Sequence, residues 1–229
     1  MADAEKDLHG GHRKRVRHRF LNSGFDQFED HQILEMLLFY ALPRMDTNEL
    51  AHRLINHFGS LSGVFDASVE ELTSVKGVAE NTAVLLKMIP PLARVYLTDK
   101  QQSHPVFDSP KKIGEYLVDR FVGRTNETVL LLCMDSSLRL LSCELIAEGN
   151  NTSAHVDMKK VVERAIRRNA SCVILAHNHP RGLALPSNED ILLTREAKRT
   201  LSALEITLLD HVIVADGLWF SIAQKYPEL

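Results

Sequence analysis

The sequence predicts a two-domain protein: an all-α module, then a layered α/β domain of strands flanked by helices. Three observations predict it. From Gln27 to about Val95, apolar residues recur at helical spacing, as in Ile33, Leu34, Leu37 and Leu38, then Leu50, Leu54 and Phe58, which is the stripe of a 3.6-residue period. Around Thr98 to Pro110 the pattern lapses into TDKQQSHPVFDSP, a polar run with two prolines suited to a surface connection. Beyond it, helical and strand patterns alternate. The expected domains are 1–100 and 107–229.

Within the first domain, Ile33 to Leu54 reads as a helix, an LPRMDT turn and a second helix. A second pair follows in Leu72, Val75, Gly77, Val78, Ala79, Ala83 and Leu86, spaced L-x2-V-x-G-V-A-x3-A-x2-L, with glycine where a tight turn needs it. In the second domain the periodicity predicts a helix from about Pro110 to Arg120, strands near Thr128 to Met134 and Arg139 to Ala147, and a helix near Met158 to Arg168. A strand over Ser171 to Ala176, a helix over Ser187 to Leu204, and strands over Thr207 to Ala215 and Leu218 to Ala223 complete it. TVLLLCM and SCVILA are continuously apolar, as strands covered on both faces should be.

Composition narrows the function classes. Hydrophobic residues are 45% and charged residues 25% of the 229, the balance of a globular protein that buries a core. The net charge of −3 provides no global basic field for nucleic acid or acidic membranes, so any such binding must be local. The longest apolar stretch, Ile33 to Leu42, is about half a membrane span and contains Glu35. The amino terminus leads into SGFDQFEDHQ rather than an apolar export segment. Cys133, Cys143 and Cys172 are odd in number and lie in apolar runs, which reads as reduced thiols and a cytoplasmic address.

The strongest chemical signal is AHNHPRGLALPSNED, which is His177-x-His179-x7-Ser187-x2-Asp190. On an extended strand end, side chains at i and i+2 point the same way, so both imidazoles can converge while Asn178 points elsewhere. Pro180, Arg181 and Gly182 turn the chain, and Pro186-Ser187 opens a helix whose first turn carries Asp190 back. Two imidazoles and a carboxylate suit zinc, and three protein ligands leave a fourth position for water, as catalytic sites do. Such water is acidified toward neutrality but needs a base. The Ser187 hydroxyl could serve an oxyanion, although Ser187 with an acid at N3 is also an ordinary capping box. Dispersed HNH nuclease motifs do not match, and no C-x-x-C supports a zinc deaminase.

These residues resemble the JAB1/MPN metalloenzymes (the JAMM motif). HNHP…G…PS..D followed by LLDHVIVADG is most similar to their bacterial RadC branch, over roughly Ser109 to Leu229. The resemblance implies a cytidine-deaminase-like α/β fold with a mixed sheet flanked by helices, zinc held by His177, His179 and Asp190, and Ser187 steadying the intermediate. It also implies general acid/base work by Glu127, which directly precedes the first apolar strand in RTNETVLLLCMD; Glu144, Glu148 and Glu163 lack that position. It implies a metallopeptidase acting on amide or isopeptide bonds of a peptide or protein. Where the family usually has serine after HNHP, Arg181 stands here, an exposed turn residue or a clamp for an anionic substrate group. In LLDHVIVAD, alternation allows at most one of Asp210 and His211 to face the site. His211 reads as a satisfied core histidine, with a hydrogen bond to a ligand imidazole the other role open to it.

The two helix pairs resemble the helix-hairpin-helix module (UvrC-like) at the amino terminus of RadC proteins, although Ala79 replaces the usual second loop glycine. Together with the cluster Arg13, Lys14, Arg15, Arg17 and Arg19, Gly77 is therefore a candidate phosphate or DNA contact. Residues 1–100 nevertheless hold 12 Lys and Arg against 14 Asp and Glu, so helical packing or a solvated face is the competing reading. A DNA-associated repair or recombination protein with a structural or vestigial metal site is the alternative to the hydrolase. Lys160, Arg164, Arg167 and Arg168 form a further stripe, read as the polar face of an amphipathic helix.

Overall fold

The structure is a computed structural model that describes residues 2–100, 105–149 and 156–229, with side chains from Gly11 onward. The chain divides into two compact units at the Pro90–Pro91 pair. This lies ahead of the polar run from Thr98, of which residues 101–104 fall outside the described residues.

The first unit is helical, as the periodicity predicts. It contains α1 (Ala2–Ser23), α2 (Asp30–Ala41), α3 (Asn48–Phe58), α4 (Leu61–Asp66) and α5 (Val69–Ser74), and it includes the start of α6 (Glu80–Lys100), which continues past the division. Leu34, Leu38, Leu50 and Leu54 from the first helix pair pack with Leu72, Val75, Val78, Ala83 and Leu86 from the second. Each such leucine contributes about 1.5–3 kcal/mol by leaving water. Between α5 and α6 the chain turns at Gly77, whose φ of +99° is strained for any side chain. The neighbouring Val78 amide already donates to the Val75 carbonyl at 3.0 Å.

Helix α1 was not legible as a helix, because only Val16 and Phe20 of its described side chains reach an apolar cluster, where they meet Met36, Phe39 and Phe28. Polar contacts do the rest. His12 Nε2 lies 2.9 Å from the buried Glu35 carboxylate, and Arg19 donates to Gln32 at 2.6 Å. Arg13 corrects the sequence reading. Its guanidinium donates to the Leu42 and Pro43 carbonyls at 2.9 Å, and also to those of Phe39 and Met45. It thereby holds carbonyls at and just beyond the C-terminus of α2, and these bonds occupy its guanidinium. Lys14, Arg15 and Arg17 are exposed.

In the second unit, α7 (Pro110–Phe121) precedes β1 (Thr128–Met134) and β2 (Leu140–Glu148). Then come α8 (Met158–Arg167), β3 (Cys172–Asn178), α9 (Asn188–Ser202), β4 (Thr207–Ala215), β5 (Leu218–Ser221) and α10 (Ile222–Lys225). The mixed sheet has the order β2-β1-β3-β4-β5, with only β3 and β4 parallel. β1 and β3 are buried along their whole length. On one face Leu130, Leu132, Ile174 and Ala176 meet Ile113, Tyr116 and Leu117 of α7. On the other, Val129, Leu131, Val173 and Leu175 meet Val161 and Ala165 of α8 and Ala197 and Leu201 of α9. The register of β2 on β1 slips twice, between Val129 and Leu130 and between Cys133 and Met134.

Two details depart from the expected pattern. The last strand ends at Ser221 rather than Ala223, because the Ser221 hydroxyl accepts from the Gln224 amide (3.1 Å), starting α10, and donates to the buried Asp210 carboxylate (2.5 Å). In β4, Val173 pairs with Leu208 but Ile174 pairs with Asp210. That extra residue, a bulge at Leu209, changes which face the following side chains take. The stripe on α8 is partnered, mostly by β2: Arg168 and Arg164 meet Glu144, Lys160 meets the Ile146 carbonyl, and Arg167 meets Glu163 on its own helix.

Replacing Arg13 by Ala should lower stability to urea denaturation by about 1–3 kcal/mol, the range for a charged group bonded to carbonyls, whereas Arg15→Ala should stay within about 0.5 kcal/mol. Equal effects would remove Arg13 as the cap of α2.

Candidate metal centre

The site lies where β3 emerges between β1 and β4. His177 is the sixth residue of β3, and the His179 amide still donates to Val214 at 2.8 Å, so the chain remains extended across both histidines. Alternation then turns both rings the same way, with Nε2 of His177 and Nε2 of His179 2.9 Å apart. His177 is buried, whereas His179 keeps 22% of its side chain exposed and so leaves the site open on one side.

Asp190 arrives from α9. Ser187 is the N-cap, and Asp190 at N3 completes a capping box. Its Oδ2 accepts from the Ser187 amide (2.7 Å) and hydroxyl (2.8 Å), while Oδ1 lies 3.1 Å from His177 Nε2 and Oδ2 lies 3.7 Å from His179 Nε2. Burial works against ionisation here, but the His177 ring beside the carboxylate and the two Ser187 donors outweigh it and hold Asp190 well below the ordinary carboxylate range. Ser187 is thus a cap and a support for Asp190, its proton directed at Oδ2.

One ligand atom from each of His177, His179 and Asp190 lies within 4.8 Å of the others, the one such cluster among the described residues. The chemistry of the donor set fits a metal ion. The Leu183 carbonyl, 3.0 Å from His179 Nδ1, can only accept, so Nδ1 carries the ring proton and Nε2 presents a lone pair. That lone pair and the Asp190 oxygens converge with His177 Nε2 on one point. A single proton relieves only one of these contacts, whereas a divalent cation satisfies all three.

Asn178, between the two histidines, does what the motif alone did not disclose. Its buried side chain accepts from the Thr128 amide (2.7 Å) and donates to the carbonyls of Arg124 (3.2 Å) and Asn126 (3.1 Å). It therefore fixes the entry to β1, which carries Glu127. Val129 pairs with His177, Val129, Leu131 and Cys133 share the α8–α9 face, and Glu127 immediately precedes this strand. Glu127 is half-buried and outside the ligand cluster.

His211 is fully buried, its Nε2 2.9 Å from His177 Nδ1 and its Nδ1 2.7 Å from Thr194 Oγ1. The bulge at Leu209 gives this face to His211 and the opposite one to Asp210, so the core histidine is also the partner of a site histidine. Burial and the neighbouring His177 push it down to about 3, and it stays neutral. Asp210 instead accepts from Ser221, Ala223 and its neighbour's amide. Arg181 is exposed in the turn after the motif.

Residues 107–226 match the RadC-like JAB domain, and residues 10–84 match the UPF0758 N-terminal domain. The chain belongs to the RadC-like JAB-domain family. Among its relatives, a UPF0758 protein of Pseudoalteromonas translucida is 34% identical, over 93% of this chain and 95% of that protein. One of Methylibium petroleiphilum is 36% identical, over 98% and 99%, and one of Fusobacterium nucleatum is 32% identical, over 97% and 98%. Within the RadC-like JAB domain, all the residues of the candidate centre lie in the matched span.

His177→Ala should abolish metal uptake by elemental analysis. Asn178→Ala should retain the metal but lose about 1–3 kcal/mol of stability, because the Thr128 amide is left buried and unpaired; unchanged stability would exclude the clamp on the Glu127 segment.

Proposed function

We propose that this protein is a zinc-dependent hydrolase of amide or isopeptide bonds in a peptide or protein substrate. The observation that carries the proposal is the convergence of two imidazoles and a carboxylate at a strand end, open on the His179 side, on a strand that pairs with β1 two residues after Glu127. Zinc, when bound, would polarise the scissile carbonyl and acidify a water. His177, His179 and Asp190 are the residues that would hold it.

Glu127 takes the proton of the attacking water and delivers it to the departing nitrogen. Asn178 keeps that carboxylate in place by securing the segment that carries it. Ser187 supports the oxyanion: its hydroxyl turns about a single bond, and it swings from Asp190 Oδ2 to the tetrahedral oxygen as negative charge develops there. The loop that follows His179, whose Leu183 carbonyl meets the His179 ring, carries the exposed Leu183 and Leu185, so apolar residues of a substrate would lie along this loop. Three free cysteines accord with a cytoplasmic setting, and no described helix is long and apolar enough to cross a membrane.

Glu127→Gln should keep zinc at the unmodified stoichiometry while lowering turnover at least about 100-fold, the scale of general acid/base catalysis. Comparing cleavage products across a proteome digest for the native and Gln proteins would identify substrates, and a fully active variant would remove Glu127 as the base.

A second reading, DNA association, is favoured by the exposed Lys14, Arg15 and Arg17 on α1, with Gly77 at the α5–α6 turn as the further candidate contact. Arg13 is excluded from that set by its role in capping α2. If DNA binds here, affinity should fall steeply with salt, and the slope should decrease by about one for each phosphate contact removed, as in Lys14→Ala and Arg15→Ala. A slope unaffected by both changes would exclude α1 as the contact.

A further inference from the structure

We propose that Thr194 and His211 form a proton-ordered relay behind the metal centre that decides which nitrogen His177 offers, making both of them positioning residues. The inference rests on the reading of His177 as a ligand. The relay begins at an atom whose role is fixed. The Asp190 main-chain carbonyl can only accept, and Thr194 Oγ1 lies 2.6 Å from it. An oxygen–oxygen approach that short requires the hydroxyl proton between the two atoms.

A hydroxyl has one proton, so toward its other partner Thr194 must accept. That partner is His211 Nδ1 at 2.7 Å, which therefore carries the His211 ring proton. His211 Nε2 is then bare and accepts from His177 Nδ1 at 2.9 Å. With its proton on Nδ1, His177 presents the lone pair of Nε2 toward His179 and Asp190. Every hydrogen in the chain is fixed by the carbonyl at its far end.

The geometry has two consequences. The relay joins the elements that carry the ligands, with His177 on β3 linked through His211 on β4 to Thr194 on α9, and so back to Asp190, the ligand one turn earlier. It also does for His177 what the Leu183 carbonyl does for His179, so both rings are committed to Nε2 before any cation arrives. Without the hydroxyl, His211 is free to hold its proton on Nε2, and His177 Nδ1 loses its acceptor.

The test uses the full-length protein and zinc. Nitrogen-15 NMR of zinc-free wild-type protein should show His211 protonated at Nδ1 alone and a proton on His177 Nδ1. Thr194→Val, which removes only the hydroxyl's hydrogen-bonding capacity, should move the His211 proton to Nε2 and weaken zinc binding in a competition titration by about tenfold or more. Thr194→Ser should restore affinity to within about threefold of wild type, since the loss follows the hydroxyl and not the volume. Nε2 protonation of His211 in the wild type, undiminished affinity in the Val variant, or a Ser variant as weak as Val would each overturn the relay. Wild-type protein that takes up no zinc would instead overturn the metal reading, while the zinc-free tautomers judge the relay separately.

Discussion

The contact on which the site depends is the capping box at the start of α9. The orphan amides of a helix N-terminus must find acceptors, and here Ser187 and Asp190 provide them for each other. Capping leaves Asp190 Oδ2 occupied and Oδ1 directed at His177. The interaction that starts the helix thus also aims the carboxylate, and a change that frays the first turn of α9 would dismantle the cluster without touching a histidine. The aspartate at N3 has a shorter reach than the glutamate common in such boxes, and this keeps Oδ1 over the end of β3.

Much of this was legible in the sequence because it follows from periodicity. Thr128–Met134 and Thr207–Ala215 are strands with the expected bounds, since short, mostly apolar and β-branched runs of that length have few alternatives in a layered fold. His177, His179 and Asp190 converge because strand alternation and a helix cap both act over a few residues. What escaped was long-range or irregular. The bulge at Leu209 is invisible in the apolar pattern yet decides that His211 faces His177. Asn178 seemed merely to point away, but it reaches fifty residues back along the chain to Thr128.

The helical half shows a different limit. Five basic residues within Arg13 to Arg19 invite a reading as one electrostatic patch. The structure separates them by geometry: Arg13 serves the end of α2, Arg19 stacks over Phe28 at 3.7 Å, and Lys14, Arg15 and Arg17 face outward. Charge counting cannot make that distinction, because guanidinium groups that cap helices and those that meet anions have the same composition. Helix α1 was hidden for a related reason, being held largely by side-chain hydrogen bonds rather than by an apolar stripe.

Strand β2 lies at the margin of the sheet, and its two register slips against β1 have an implication for the protein in concentrated solution. An outermost strand with an even row of unpaired amides and carbonyls is a template on which a neighbouring molecule can polymerise. Interrupted twice, and carrying Glu144 and Glu148 among its side chains, β2 offers only short stretches of regular backbone between irregularities. The sheet can therefore end on this strand without becoming a nucleus for fibres.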